Sequence, residues 1–328
     1  MKRFLIIQTA FIGDVILASP VIEKIHQFYP DACIDLLVRK GNEVLFKGHP
    51  YLHQVFTWEK KREKYNHLVK VIGQLRKTKY DYAINLQRFA TTGLITCLVK
   101  AKEKVGFTKN PFAFCYTRKG IHEIKRGIHE VDRNISLIEH LTDKTRVNPK
   151  LYPSAEDEKA VAQWKTRQYI CIAPTSVWFT KQAPKAKWIQ LINQLPPSNH
   201  VYLLGANNDF QSCEEIKKCT NHPSVYNLCG KLQLLQSASL MRDARMNYVN
   251  DSAPLHLASA MNAPTKAVFC STIPDFGFGP LSDHAQIIEI DGPLYCRPCG
   301  LHGYKACPEG HFKCGHLIDV DKMLLNHD

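Results

Sequence analysis

Short, almost unbroken apolar runs recur along this chain, each followed by a longer stretch of helical pattern. In the first half they are RFLIIQ (3–8), CIDLLVR (33–39), QVFTW (54–58) and YDYAINLQ (80–87). In the second they are QYICIAP (168–174), HVYLLG (200–205), SVYNLCG (224–230), MNYVND (246–251) and TKAVFC (265–270). A strand that is apolar on both faces must be covered on both faces, the condition of a parallel strand held between helices. Stretches 20–29 and 64–78 have the helical pattern to supply such cover. Two sets of runs predict two doubly wound α/β domains, 1–153 and 154–328. The seam is the polar, Pro-containing TRVNPKLYPSAEDE (145–158), leading into a helix at 154–166. With 328 residues, each domain has enough chain for its own core.

No apolar run reaches the roughly 18–20 residues that cross a bilayer. The basic start MKRFLIIQTAFIGD turns polar at Gln8 and Thr9, too early for a secretory signal, so a cytoplasmic protein is expected. The formal net charge of +13 suits an anionic partner: nucleotide, phosphorylated sugar, nucleic acid or acidic membrane. The basic residues are densest at EKKREKYNH and TRKGIHEIKRG, where a solvated face is the plain reading. No zinc-finger spacing, arginine-rich tail or aromatic RNA-binding signature accompanies them, which argues against nucleic acid.

In doubly wound sheets ligands bind beyond the carboxyl ends of the strands. Those ends fall at 9–14, 85–88, 174–181, 205–209 and 250–256. At the first, Gly13 permits a sharp turn and close approach of a ligand. Asp14 has two readings there. It caps the helix that follows, or it stands free in a loop if the regular helix begins at Ser19-Pro20. A single glycine is no dinucleotide fingerprint, so nicotinamide binding is unsupported. Thr175, Ser176, Thr180 and Lys181 offer hydroxyls and an ammonium of the kind a diphosphate needs. The alternative is a polar loop with a surface lysine. In YVNDSAPLHLASAM, Asp251 and Ser252 are both good capping types, and the helix start behind them is an anion site. His256, in the first turns of that helix, reads more simply as a packed or hydrogen-bonded side chain.

Of twelve cysteines, Cys33, Cys97, Cys171 and Cys270 lie in apolar stretches and are expected as buried thiols. The tail CRPCGLHGYKACPEGHFKC carries Cys296, Cys299, Cys307 and Cys314. The C-x2-C pair has ligand spacing, but six residues between the second pair is not zinc-ribbon spacing. Packed or redox-labile thiols are the reading adopted, with structural zinc the alternative. The D-x-D at 319–321 spells the metal motif of some glycosyltransferases, yet its place before KMLL reads as helix capping.

The segments FIGDVILASPVIEKI, YDYAINLQ, HEVDRNISLIEHL, APTSVWFTK, YLLGANND, NLCGKLQL and NDSAPLHLASAMNAPTKAVFCSTIPDF, in this order, resemble the lipopolysaccharide heptosyltransferases of glycosyltransferase family 9. The resemblance covers nearly the whole chain. It implies a GT-B fold, two Rossmann-like domains facing a central cleft. The activity it implies is inverting transfer of heptose from ADP-heptose to the inner core of lipopolysaccharide, a Kdo- and heptose-bearing lipid A, at the cytoplasmic face of the inner membrane. By position, Asp14 matches the acid thought to act as general base, and Lys181 the lysine that holds the donor diphosphate. The donor side takes Thr175, Ser176, Thr180, Lys181, Gly205, Asp251, Ser252, Ala253 and His256. The acceptor side takes Gly13, Asp14 and Arg88, with His129 and Arg133 in a His-x-x-x-Arg pattern. The family's common Pro-Gly-Ser is Pro174-Thr175-Ser176 here, and its Lys-x-Trp-Pro is Lys181-Gln182-Ala183-Pro184, so the shape of this loop departs from the pattern. No cofactor and no catalytic metal are expected. The rival readings are a related transferase with another nucleotide sugar or acceptor, and a non-catalytic nucleotide- or RNA-binding α/β protein.

Overall fold

A computed structural model of the protein describes residues 1–124 and 127–324. The chain divides into two compact units between Tyr152 and Pro153. In the first unit the strands are β1 (Arg3–Gln8), β2 (Cys33–Arg39), β3 (Leu52–Trp58), β4 (Tyr80–Asn85), β5 (Ala101–Phe107) and β6 (Arg118–Gly120). Its helices are α1 (Ile12–Ile16), α2 (Ser19–Phe28), α3 (Lys64–Leu75), α4 (Ala90–Leu98) and α5 (Glu130–Ser136). In the second unit the strands are β7 (Tyr169–Ala173), β8 (His200–Leu203), β9 (Val225–Asn227), β10 (Met246–Asn250), β11 (Thr265–Val268) and β12 (Ala285–Ile288). Its helices are α6 (Ala155–Val161), α7 (Lys185–Gln194), α8 (Phe210–Lys218), α9 (Leu234–Arg242), α10 (Ala253–Ala260), α11 (Lys313–His316) and α12 (Asp321–Leu324).

Among the described residues each unit holds one six-stranded sheet, in the orders β3-β2-β1-β4-β5-β6 and β12-β11-β10-β7-β8-β9. Neighbouring strands pair in parallel. Renumbered from the start of its own unit, the second sheet has the same 3-2-1-4-5-6 order as the first. This is the Rossmann arrangement, doubly wound as expected from the apolar runs. The central strands are covered on both sides: Phe4 to Ile7 of β1, and Tyr169 to Ala173 of β7, are all buried. One core of the first unit packs Leu5, Ile7 and Leu37 against Leu68, Val71 and Leu75 of α3. In the second, Trp188, Leu191 and Ile192 of α7 pack against Ile170, Ile172 and Leu203.

Three strands carry no apolar run and were not expected: β5, β6 and β12. The last two are sheet edges, where one flank needs no cover. β5 reads AKEKVGF and buries only its last three residues. The 154–166 helix is shorter than expected, ending at Val161 and followed by a 3₁₀ turn at Ala162–Trp164. The tail carries the two short helices α11 and α12. Through Leu324 it stays with the second unit, where Met323 is buried in the core beside Ile318 and Val320. No helix of the described residues is long and apolar enough to cross a membrane.

Candidate active site

Reversal of strand order opens a crevice between the first and fourth strand of each sheet, at their carboxyl ends. In the first unit that point lies between β1 and β4. The loop after β1 is fixed across it: Thr9 donates through its backbone N–H (3.1 Å) and hydroxyl (2.7 Å) to Gln87 Oε1. Asn42 Nδ2 donates to Ala10 O at 3.0 Å, and Lys60 Nζ to Thr9 O at 2.6 Å.

Asp14 follows directly, in the first turn of α1, half-buried. This corrects both readings of it. Phe11, not Asp14, is the N-cap, and the carboxylate stands on a short helix rather than in an open loop. The chain starts again at Ser19, with Pro20 in the first turn of α2, where a missing N–H costs nothing. Gly13 sits inside α1, its carbonyl accepting from Leu17 N at 3.0 Å, and it adopts no positive φ. The turn expected of it is absent. Arg88 is half-buried in the loop after β4.

Lys60 was expected on a solvated or membrane-facing surface, and it is instead turned in over the Trp58 ring at 4.6 Å. Burial, reinforced by Arg39 and Lys64, brings its ammonium down to about 8. An inward lysine bonded to the loop that precedes α1 had no signal in the sequence, because EKKR is an ordinary surface composition.

His129 and Arg133 are components of a cap and a buried ion pair. His129 is the N-cap of α5 and accepts from Val131 N at 3.2 Å through Nδ1, while Asp132 reaches back to His129 N. Arg133 is buried, with Nε on Glu130 Oε2 and one terminal nitrogen on Ile128 O, both at 2.7 Å. His122 Nε2 stands 3.6 Å from the same carboxylate. Burial pushes the Glu130 carboxyl up, but His122 and Arg133 outweigh it and hold it below its ordinary range.

In the second unit the crevice lies between β7 and β10, and an ion pair spans it. Lys181, on the loop after β7, places Nζ 2.7 Å from Oδ2 of Asp251, the residue after β10. Their side chains are 15% and 6% exposed, so the pair is largely withdrawn from water. Thr272 donates to the same oxygen at 2.6 Å. Asn250 Oδ1 accepts from Ala183 N at 3.0 Å, tying the loop to the end of β10. Asp251 therefore does not cap α10. Ser252 occupies that position, and its side chain makes no capping bond. Pro254 stands in the first turn, and the α10 amino terminus opens beside Asp251.

Thr180 is a buried strut: its hydroxyl accepts from Tyr304 N (2.8 Å) and Ser271 Oγ (3.0 Å). The tail also crosses here at Gly303, whose φ is +72°. A Cβ at Gly303 would lie 2.9 Å from Thr180 Oγ1 and 3.0 Å from Lys181 Cγ. Thr175 and Ser176 are half-buried, and Gln182 Nε2 donates to Ser176 O at 2.7 Å. Lys181, Asp251, Ser252 and Ala253 thus share one corner. Gly205 is fitted elsewhere, against Asp209 and Cys229. His256 is buried within α10, edge-on to Phe278, which matches the packed reading.

The cysteines separate into three kinds. Cys33, Cys171 and Cys270 are buried thiols as expected. Cys97 is not a thiol: it is disulfide-bonded to Cys115, clamping the end of α4 to the segment after β5. Cys314 is buried, and Cys296, Cys299 and Cys307 are half-buried and unbridged. Asp319 Oδ1 accepts from Asp321 N at 2.9 Å at the start of α12, so the D-x-D does serve as a cap. Cys33, Asp35 and His53 form a set of ligand-type side chains in the first unit that sequence spacing did not reveal.

The model of glycosyltransferase family 9 (heptosyltransferase) matches residues 68–304. Lipopolysaccharide heptosyltransferase 3 of Escherichia coli is 27% identical over 287 residues, 80% of this chain and 82% of that protein. Among solved structures, a family 9 glycosyl transferase from Veillonella parvula superposes with a TM-score of 0.80 at 21% identity, covering 87% of this chain and 85% of that one. The E. coli ADP-heptose lps heptosyltransferase II gives 0.77 at 21% identity, covering 99% and 100%. These likenesses show the fold, the paired Rossmann-like units of GT-B proteins.

Proposed function

The chain belongs to glycosyltransferase family 9, and from that premise we propose that it moves a heptose from ADP-heptose to the inner core of lipopolysaccharide with inversion at the anomeric carbon. Membership in a glycosyltransferase family sets aside the non-catalytic alternative. The first unit takes the acceptor and the second the nucleotide-sugar donor. The observation that carries the donor half is the Lys181–Asp251 pair at the crevice of the second sheet, beside the amino terminus of α10. An ammonium has three donors, and the Asp251 bond uses one. Asp251 orients Lys181, and the remaining N–H groups meet the diphosphate oxygens. The α10 terminus adds its dipole and backbone amides. Negative charge grows on the diphosphate as it leaves, so these groups bind the transition state more tightly than the ground state.

For the acceptor half, Asp14 is the general base. Its carboxylate takes the proton of the acceptor hydroxyl as that oxygen attacks the anomeric carbon. The bond to the diphosphate breaks on the opposite face, and ADP departs with its electron pair. Lys181 and the helix terminus supply the positive charge that a metal supplies elsewhere, so the transfer is metal-independent. The enzyme works at the cytoplasmic face of the inner membrane as a peripheral protein. Gly205, His256, His129 and Arg133 act by packing and capping within their own units, and Thr175, Ser176 and Arg88 by lining the site.

The test is turnover of the purified protein with ADP-heptose and a graded set of truncated lipopolysaccharide acceptors, with and without EDTA, and the product anomer read by NMR. An inverted heptoside on one acceptor, unaffected by short exposure to the chelator, is the expected result. No transfer from ADP-heptose, but transfer from another nucleotide sugar, overturns the donor assignment in favour of the related-transferase reading. Immediate loss restored by magnesium or manganese overturns the metal-independent mechanism.

A further inference from the structure

We propose that Cys33, Asp35 and His53 form a binding site for one thiophilic divalent cation, zinc by the chemistry of its donors, at the amino ends of β2 and β3. One ligand atom from each of the three lies within 4.8 Å of the other two. His53 Nδ1 and Asp35 Oδ1 are already 2.9 Å apart. Around a tetrahedral zinc, with bonds of about 2.0–2.3 Å, such donors stand roughly 3.3–3.6 Å from one another. Closing the set draws donors that now stand within 4.8 Å of one another together by about an ångström. His53 is the member free to move, with its side chain 56% exposed at the surface. Thiolate, imidazole and carboxylate together select zinc over magnesium or calcium, which prefer all-oxygen sites.

Two further features fit a ligand set better than a chance cluster. The first is the register of β2 on β3. Ile34 pairs with Leu52 but Asp35 with Gln54, so His53 is one extra residue in β3. Bulges of this kind re-aim a side chain and persist where that aim is useful. The second is Tyr80, whose hydroxyl donates to Asp35 Oδ2 at 2.8 Å. That bond fixes the carboxylate and leaves Oδ1 turned to His53, the outer support that metal-binding carboxylates commonly have. Asp35 is only 2% exposed, a negative charge that a bound cation would neutralise.

The site lies at the opposite end of the first sheet from Asp14. Cys33 opens β2, whereas Asp14 follows the close of β1. Three protein donors leave the fourth position of the cation to water, and the cation would link the edge strand β3 to β2.

Metal-free full-length protein is titrated with zinc against a chromophoric chelator, counting tight equivalents for wild type, Cys33→Ser, His53→Ala and the control Cys219→Ser. Far-UV dichroism checks that each variant is folded, and the exposed His53 makes its variant the safer one. Equivalents held by the tail thiols are common to all four and cancel in the comparison. Both site variants should lose one equivalent, or bind it at least tenfold more weakly, while Cys219→Ser matches wild type. Zinc should raise the Tm of wild type more than that of either site variant. Equal stoichiometry and affinity in all four proteins would overturn the site. So would a loss confined to Cys33→Ser, which would leave His53 outside any ligand set.

Discussion

Asp14 and Lys181 were legible in the sequence as types at strand ends, but their neighbours were not. Asp14→Asn changes one carboxylate oxygen of the proposed base to an amide and so tests that role. Turnover should fall on the order of 10²–10⁴-fold with ADP affinity intact, and steady-state kinetics with near-normal kcat would remove Asp14 from the mechanism. Lys181 carries a second duty that only the structure discloses, since it neutralises the buried Asp251. Lys181→Met should therefore cost both kcat and about 3 kcal/mol of stability, the latter because an unpaired charge stays buried. Adding Asp251→Asn should restore much of the stability measured in urea without restoring the rate. Recovery of both would mean that the lysine acts on the fold alone. Lys60 was misread because a composition such as EKKR carries no sign of direction. With its ammonium brought down to about 8 from an ordinary 10.5, the folded state binds fewer protons than the unfolded state between those values. Stability conferred at Lys60 should therefore rise with pH across that window. Unfolding of wild type and Lys60→Met at about pH 7 and about pH 9.5 should show the difference moving in favour of wild type at the higher pH. A difference independent of pH would place the lysine in solvent.

At the scale of elements, the strands apolar on both faces could be read because burial on both faces leaves a continuous signal. The edges could not, since β6 and β12 have an open flank and β5 buries only its end. Short helices were similarly illegible: α1 is five residues long, too short to show a period. The His-x-x-x-Arg pattern was visible, whereas its use as the cap and inner salt bridge of α5 depends on Glu130 and His122, which spacing does not connect. Arg133→Met should destabilise the first unit by about 3 kcal/mol, because Glu130 would remain buried with a weaker partner. The sign with pH follows from the lowered Glu130 carboxyl. Its contribution is complete above the unfolded value of 4.5 and disappears as pH falls through the lower folded value. Acid unfolding of wild type should lose this increment below 4.5, and Arg133→Met with Glu130→Gln should lack it. Parallel acid-unfolding curves would separate the ion pair from the stability of α5.

For the whole molecule, charge is the feature that the fold does not explain. The sequence carries +13, and no helix of the described residues crosses a membrane. Under the proposed function the acceptor would be lipid-linked and anionic, and reversible adhesion to an acidic bilayer would then use that charge, at roughly 1 kcal/mol per basic residue near the surface. Among the basic residues of the first unit, Lys60 is withdrawn, and Lys125 and Arg126 lie outside the described residues. Lys61, Arg62, Lys64, Lys109, Arg118 and Lys119 are exposed, and Arg88 is half-buried. Binding to anionic vesicles should fall steeply with salt, and Lys61→Glu with Arg62→Glu should weaken it while leaving ADP affinity unchanged. Equal vesicle binding by wild type and variant at low salt would return these residues to an ordinary solvated surface.

The strut at Thr180 sets a condition on the order of synthesis. Its partner Tyr304 comes 124 residues later in the chain. A nascent chain that has left the ribosome as far as β11 already contains Lys181, Asp251 and the α10 terminus, but not the segment that braces Thr180. Translation proceeds from the amino end, so the corner that holds Lys181 gains this brace only once synthesis has passed Tyr304. A message cut short just before Gly303 would yield a protein with both sheets and every residue of the corner, yet without that brace.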